Sequence, residues 1–113
     1  MTARPELMSE NDLQRAVIDT AKALGWLVHH DRPGRTNHGW RTVVEGDAGY
    51  PDLTLCHFKH GVVFAELKGP RGTFTPEQQE WGLALNKHAR YEIWTPADYR
   101  SGRIDRILRG EKD

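Results

Sequence analysis

The sequence predicts an α/β fold, with helices flanking a small mixed sheet. Three observations carry this. Two segments, residues 9–24 and 75–88, repeat apolar residues at helical spacing. Four short apolar runs, "WLVHH", "PDLTLC", "VVFAELK" and "RYEIW", read as strands. The order is helix, strand, strand, strand, helix, strand, helix, and such interleaving packs in layers around one sheet. The 113 residues suit one compact domain.

Residues 1–8 read as a flexible leader, leaving 9–113 as the single domain. Ser9 is placed to cap the first helix, with Glu10 and Asp12 in the dipole-favoured first turn. Leu13, Ala16, Val17, Thr20, Ala21 and Leu24 form its apolar stripe, and Gly25 supplies the stop. Trp26 to His30 is the first strand. A turn-rich stretch runs from Arg32 to Gly49, with a short strand possible over Arg41 to Val44. A loop this long in a small domain is usually functional or disordered. Pro51 to Cys56 and Val62 to Lys68 are the next strands. Thr75, Pro76 and Gln78 then form a capping box with proline at the first helical position. That helix runs to about His88, with Trp81, Gly82 and Leu85 facing inward. A mid-helix glycine costs about 1 kcal/mol against alanine, which suggests close packing at Gly82. Arg90 to Trp94 is the fourth strand. One or two closing helical turns bury Ile104, Ile107 and Leu108.

Composition excludes several classes. Sixteen Lys and Arg balance sixteen Asp and Glu, so bulk charge announces no nucleic-acid binder. The one cysteine, Cys56, rules out an internal disulfide and a multi-cysteine zinc site, and fits a reducing cytoplasm. No apolar run is long enough to span a membrane. No histidine pair has the i, i+4 zinc spacing, and no Gly-rich phosphate loop marks a nucleotide cofactor.

Charge inside the central strands needs a reason. In a strand alternate side chains share a face, so Val62, Phe64, Glu66 and Lys68 point one way and Val63, Ala65 and Leu67 the other. A hairpin with a five-residue loop, His57 to Gly61, pairs Cys56 with Val62, Thr54 with Phe64 and Asp52 with Glu66. Opposed like charges destabilise a ladder, and partial burial raises one carboxyl's pKa. A hard divalent cation resolves the conflict, because Mg²⁺ is bound by converging oxygens. The Leu67 carbonyl, between Glu66 and Lys68, offers a third oxygen. Water on such a cation becomes a competent nucleophile. Lys68 reaches the same space, to position that water or to stabilise charge on a phosphate. As a plain surface, Glu66 and Lys68 would be a solvated strand end. The acidic pair in register, the lysine on that face and the apolar Val62 and Phe64 favour a site.

These residues resemble the PD-(D/E)XK nuclease superfamily, with Pro51-Asp52 as "PD" and Glu66-Leu67-Lys68 as "ELK". "GDAGYPDL", "VVFAELKGPRGTFTPEQQEW" and "YEIWTPAD" extend the resemblance to the VRR-NUC branch, found also as small stand-alone phage and bacterial proteins. It covers about Ser9 to Leu108. The resemblance implies a restriction-endonuclease-like α-β-β-β-α-β core and a nuclease dependent on Mg²⁺ or Mn²⁺. It implies Asp52 and Glu66 as metal ligands and Lys68 as the catalytic lysine. Gln78 matches a glutamine of this branch, and Glu10 an acid of the first helix that often joins the site. Two accounts stay open for each: Gln78 as cap or as site residue, Glu10 as dipole partner or as site residue. "NKHARYEIW" departs from relatives that carry a glycine turn before the last strand.

A polyanionic substrate needs local cations. Arg32, Arg35, His38 and Arg41 crowd the long loop, with Trp40 among them, and Arg71 follows the lysine motif. Such contacts with phosphates give affinity and salt dependence but read no sequence. The C-terminal arginines read better as a solvated face. The expected activity is endonucleolytic cleavage of DNA, and the resemblance implies branched DNA such as four-way (Holliday) junctions. Symmetric cutting of a junction needs two sites, hence a homodimer. Alternatives are a flap or nicking nuclease, a restriction-type or RNA-directed nuclease, and a DNA-binding accessory module that uses no metal.

Overall fold

The computed structural model describes residues 8–31, 34–36, 39–41 and 45–112, with the backbone alone at 34–36 and 39–41. The expected leader falls outside these residues, save Met8. In chain order the elements are α1 (Glu10–Ala23), β1 (Leu27–His29), β2 (Gly34–Thr36), β3 (Gly39–Arg41), β4 (Leu53–His57) and β5 (Gly61–Leu67). Then come α2 (Pro76–His88), β6 (Arg90–Trp94), α3 (Pro96–Arg100) and α4 (Arg103–Leu108).

Capping chemistry sets the ends of α1. Ser9 Oγ accepts from the Asp12 N–H at 3.0 Å. At the other end Gly25 takes a left-handed φ of 90°. Its N–H bonds the Lys22 carbonyl and the Trp26 N–H bonds that of Ala21, satisfying two orphan carbonyls in the Schellman pattern.

The main sheet has the order β1-β4-β5-β6. β1–β4 and β4–β5 are antiparallel, while β5–β6 is parallel, so the sheet is mixed as expected. One face meets α1 and α4. There Leu13, Val17 and Ala21 of α1 pack with Leu53, Leu55, Val63, Ala65, Leu67 and Trp94, and with Ile104, Ile107 and Leu108, in one buried core. The alternation along β5 thus divides as the pattern required. Trp26 adds a polar tie across this core, its Nε1 donating to the Leu108 carbonyl at 2.8 Å.

The other face is covered by α2, and thinly. Gly82 is the one buried residue of α2, and Trp81 and Leu85 are half-buried rather than core. Helical spacing showed which side of α2 turns inward, but few large apolar residues lie on that side. Gly82 is tight for a local reason: a Cβ there would lie 2.8 Å from the Tyr91 hydroxyl oxygen. At His88-Ala89-Arg90, where the sequence carries no glycine, the chain leaves α2 without a turn of that kind. Ala89 leaves α2 extended, with φ −145° and ψ 173°, and so needs no left-handed residue.

The long loop holds a small separate sheet. β2 and β3 pair antiparallel, with Thr36 opposite Gly39. Of the strand expected over Arg41 to Val44, Arg41 falls in β3, and residues 42–44 lie outside the described residues. No described helix is long and apolar enough to cross a membrane.

Candidate active site

The β4–β5 register matches the expected pairing: Cys56 faces Val62 and Thr54 faces Phe64. The ladder ends at Leu53 opposite Ala65. Carried two steps further, the register sets Asp52 against Glu66 and Pro51 against Leu67. Pro51 has no N–H to donate, so pairing stops there. Asp52 takes over the vacated position, and its Oδ2 accepts from the Leu67 N–H at 2.7 Å. The N–H and C=O of one strand residue face the same edge, so the Leu67 carbonyl is directed toward the Asp52 side. The Pro-Asp dipeptide thus ends a strand and turns its neighbour's backbone toward a carboxylate.

Glu66 is 1% exposed, and its Oε2 has no hydrogen-bond partner among the described residues. Burial, then hydrogen bonding to Asp52 and the Asp52 charge, push its carboxyl up to about 9, against a smaller opposing pull from Lys68. At neutral pH the Glu66 carboxyl therefore keeps its proton beside Asp52. Such an arrangement is costly unless a cation replaces the proton.

Lys68 is also buried. Its Nζ donates to the Thr73 carbonyl at 2.8 Å and to Gln78 Oε1 at 2.9 Å. Gln78 Oε1 accepts as well from the Thr75 N–H at 3.0 Å, while Thr75 Oγ1 accepts from the Gln78 N–H. One Gln78 side chain thus caps α2 and accepts from Lys68 at once. The α2 N-terminus is fixed in turn by Gly49. At φ 97°, a Cβ on Gly49 would come within 2.5 Å of the Glu77 carbonyl carbon. Only a glycine lets the loop carrying Asp52 lie against the first turn of α2.

Glu10 arrives from α1, whose start abuts Gly69; a Cβ there would lie 3.2 Å from the Glu10 nitrogen. Partial desolvation and then the Asp52 charge raise its carboxyl's pKa, while Lys68 and a backbone hydrogen bond from Gly69 pull it down. Glu10 thus feels both Asp52 and Lys68. Among the described residues, however, no three His, Cys, Asp or Glu side chains converge as a ligating set. The oxygens that could hold a cation are those of Asp52 and Glu66 and a main-chain carbonyl, with Glu10 as an electrostatic neighbour.

Asp52 also opens onto a cleft of about 540 Å³ lined by Gln14, Asp31, Glu45, Asp47 and Trp81 among others. Arg71 is exposed on the loop beyond Lys68. Arg35 and Arg41 fall on β2 and β3, while Arg32 and His38 lie outside the described residues. Sequence reasoning missed Gly49, Thr73, Phe74 and Tyr91. Burial, followed by the charges of Glu66 and Asp52, raises the pKa of the Tyr91 hydroxyl, which places it within their field. Phe74 lies beneath Lys68, 4.7 Å from Nζ to the ring centroid. Its one visible signal was an aromatic residue immediately before the Thr75 cap.

The site suits a hard divalent cation. The unpartnered buried oxygen of Glu66, the adjoining Asp52 carboxylate and the Leu67 carbonyl direction supply the oxygen donors Mg²⁺ or Mn²⁺ prefers.

A four-stranded mixed sheet between helices, with two acids and a lysine at the ends of adjoining strands, defines a restriction-endonuclease-like α/β fold. A solved structure described as a "VRR_NUC domain protein" shares that fold. Its TM-score is 0.62, with 19% sequence identity, over 93% of this chain and 92% of that one. No protein-family model matches the chain, and no curated protein matches it.

Proposed function

We propose that this protein is a divalent-metal-dependent endodeoxyribonuclease, a hydrolase of DNA phosphodiester bonds. The observation that carries the reading is the buried, unpartnered Glu66 oxygen, beside an acid it cannot tolerate in ionised form without a cation. The fold shared with a VRR_NUC domain protein supports it.

Asp52, Glu66 and the Leu67 carbonyl would hold Mg²⁺ or Mn²⁺. When bound, such an ion polarises a phosphate oxygen and lowers the pKa of water. The chain's own groups do the rest. Lys68 presents its ammonium to the phosphate as negative charge develops. Gln78 keeps that ammonium in place, and Glu10 adjusts the field around Asp52. Arg71 contacts the flanking phosphate backbone, as do Arg32, Arg35, His38 and Arg41.

We assign the substrate as branched DNA, with four-way junctions first, cut by a homodimer in the cytoplasm. A flap or nicking activity is the alternative if the protein is monomeric. The test uses labelled junction, flap, duplex and single strand, with Mg²⁺, Mn²⁺ or chelator. Wild type should cleave only with metal, and Glu66→Ala and Lys68→Ala should each lose at least 100-fold in rate, on the scale of one lost charge-stabilising group. Equal cleavage by all three proteins would overturn the nuclease reading. A monomer by light scattering at assay concentration would overturn junction resolution.

A further inference from the structure

The loop after β5, residues 69–75, is folded around one side chain. Lys68 Nζ bonds the Thr73 carbonyl at 2.8 Å and Gln78 Oε1 at 2.9 Å. The Phe74 ring faces the same ammonium, 4.7 Å from its centroid. Gly72 lies against the stem, where a Cβ would sit 3.0 Å from Lys68 Cδ. An ammonium has three protons in fixed tetrahedral directions, and here two are taken. The electron-rich ring face compensates the charge without accepting a conventional hydrogen bond.

We propose that Phe74 is a positioning residue: its ring, with the Thr73 carbonyl and the Gln78 amide, orients Lys68 so that one N–H is left for a substrate phosphate. This rests on Lys68 acting in cleavage, as argued above. A lysine is a flexible point charge on a four-carbon stem, so its usefulness in a transition state depends on such a holder. Neither the PD nor the ELK motif contains the holder. It comes from the loop that follows them and the first turn of α2.

The experiment separates ring electronics from ring volume. Phe74 is replaced by 4-fluoro-, 3,5-difluoro- and 3,4,5-trifluorophenylalanine, which keep the shape and drain the ring face stepwise. Phe74→Leu and Phe74→Tyr complete the series. kcat on the preferred DNA should fall in order of fluorination, reaching about 10-fold in Phe74→Leu, with KM unchanged and Phe74→Tyr close to wild type. A second readout needs no activity. In metal-free protein the Lys68 ε-methylene proton resonances should be shifted upfield by the ring current, in wild type and Phe74→Tyr and not in Phe74→Leu. Absence of that shift in wild type would overturn the proposal, and so would a kcat indifferent to fluorination. Wild type that cleaves nothing with any metal sinks the nuclease reading and this inference together. An active wild type whose rate ignores the ring sinks this inference alone.

Discussion

Replacing Glu66 by glutamine tests the coupling between the two acids without emptying the site. Glutamine matches protonated glutamate in shape and can still donate toward Asp52. In metal-free wild type the Glu66 carboxyl is held near 9, against 4.5 for the ordinary group. The folded state therefore binds this proton more tightly than the unfolded chain does. The corresponding stability is full below pH 4.5 and is lost as pH rises toward 9. At pH 8 the loss spans roughly 3.5 pH units, which at 1.36 kcal/mol each is about 5 kcal/mol. At pH 5 it is below about 1 kcal/mol. Glu66→Gln does not titrate and escapes the loss. Urea unfolding followed by tryptophan fluorescence, in chelator, should find the variant more stable than wild type by about 3–5 kcal/mol at pH 8 and nearly equal to it at pH 5. Millimolar Mn²⁺ should then raise the stability of wild type and leave the variant unchanged. Parallel stability curves for the two proteins from pH 5 to 8 would refute the proton held on Glu66 and the cation site proposed there.

Gly49→Ala forces a Cβ into the Glu77 backbone at an unfavourable φ of 97°, so it should cost more than about 2 kcal/mol in urea unfolding and lower cleavage by displacing both Asp52 and Gln78. Pro51→Ala restores an N–H opposite Leu67. Calorimetric titration should show Mn²⁺ affinity weakened by about 10-fold, with stability within about 1 kcal/mol of wild type, if the ladder extends onto that carbonyl. Glu92 is buried between Arg90 and Arg103, each at 2.9 Å, and Arg103→Met should cost about 1–3 kcal/mol by thermal melting, since it removes one partner of a buried charge.

The parts of this fold that local chemistry determines were legible in the residues. Ser9 and Gly25 bracket α1 because caps act within a few residues, and Thr75-Pro76-Gln78 mark the start of α2 for the same reason. The pairing of Cys56 with Val62 and Thr54 with Phe64 follows from loop length and alternation, which together leave one register that buries Leu53, Leu55, Val63 and Ala65. The convergence of Asp52, Glu66 and Lys68 follows from that register. Three-residue strands such as β2 and β3, built from Gly, Arg, Thr and Trp, have too little alternation to show. The thin packing of α2 was hidden because periodicity gives direction and not depth. Gly49 against Glu77, Phe74 under Lys68 and Tyr91 beneath Gly82 depend on how separate segments meet, and no local pattern encodes them. The closeness of Glu10 to Asp52 and Lys68 came only from family resemblance, since in isolation an acid in a first turn needs no other explanation.

The thin seating of α2 bears on how the molecule breathes. With little buried apolar area, this helix should open in a sub-global event well short of full unfolding, and its amides should exchange with deuterium faster than those of β4 and β5. Each opening would carry Gln78 away while both carboxylates stay on the sheet. On the proposed nuclease reading, the cation site would then outlast the lysine's anchorage, and heating would silence cleavage before it released the ion.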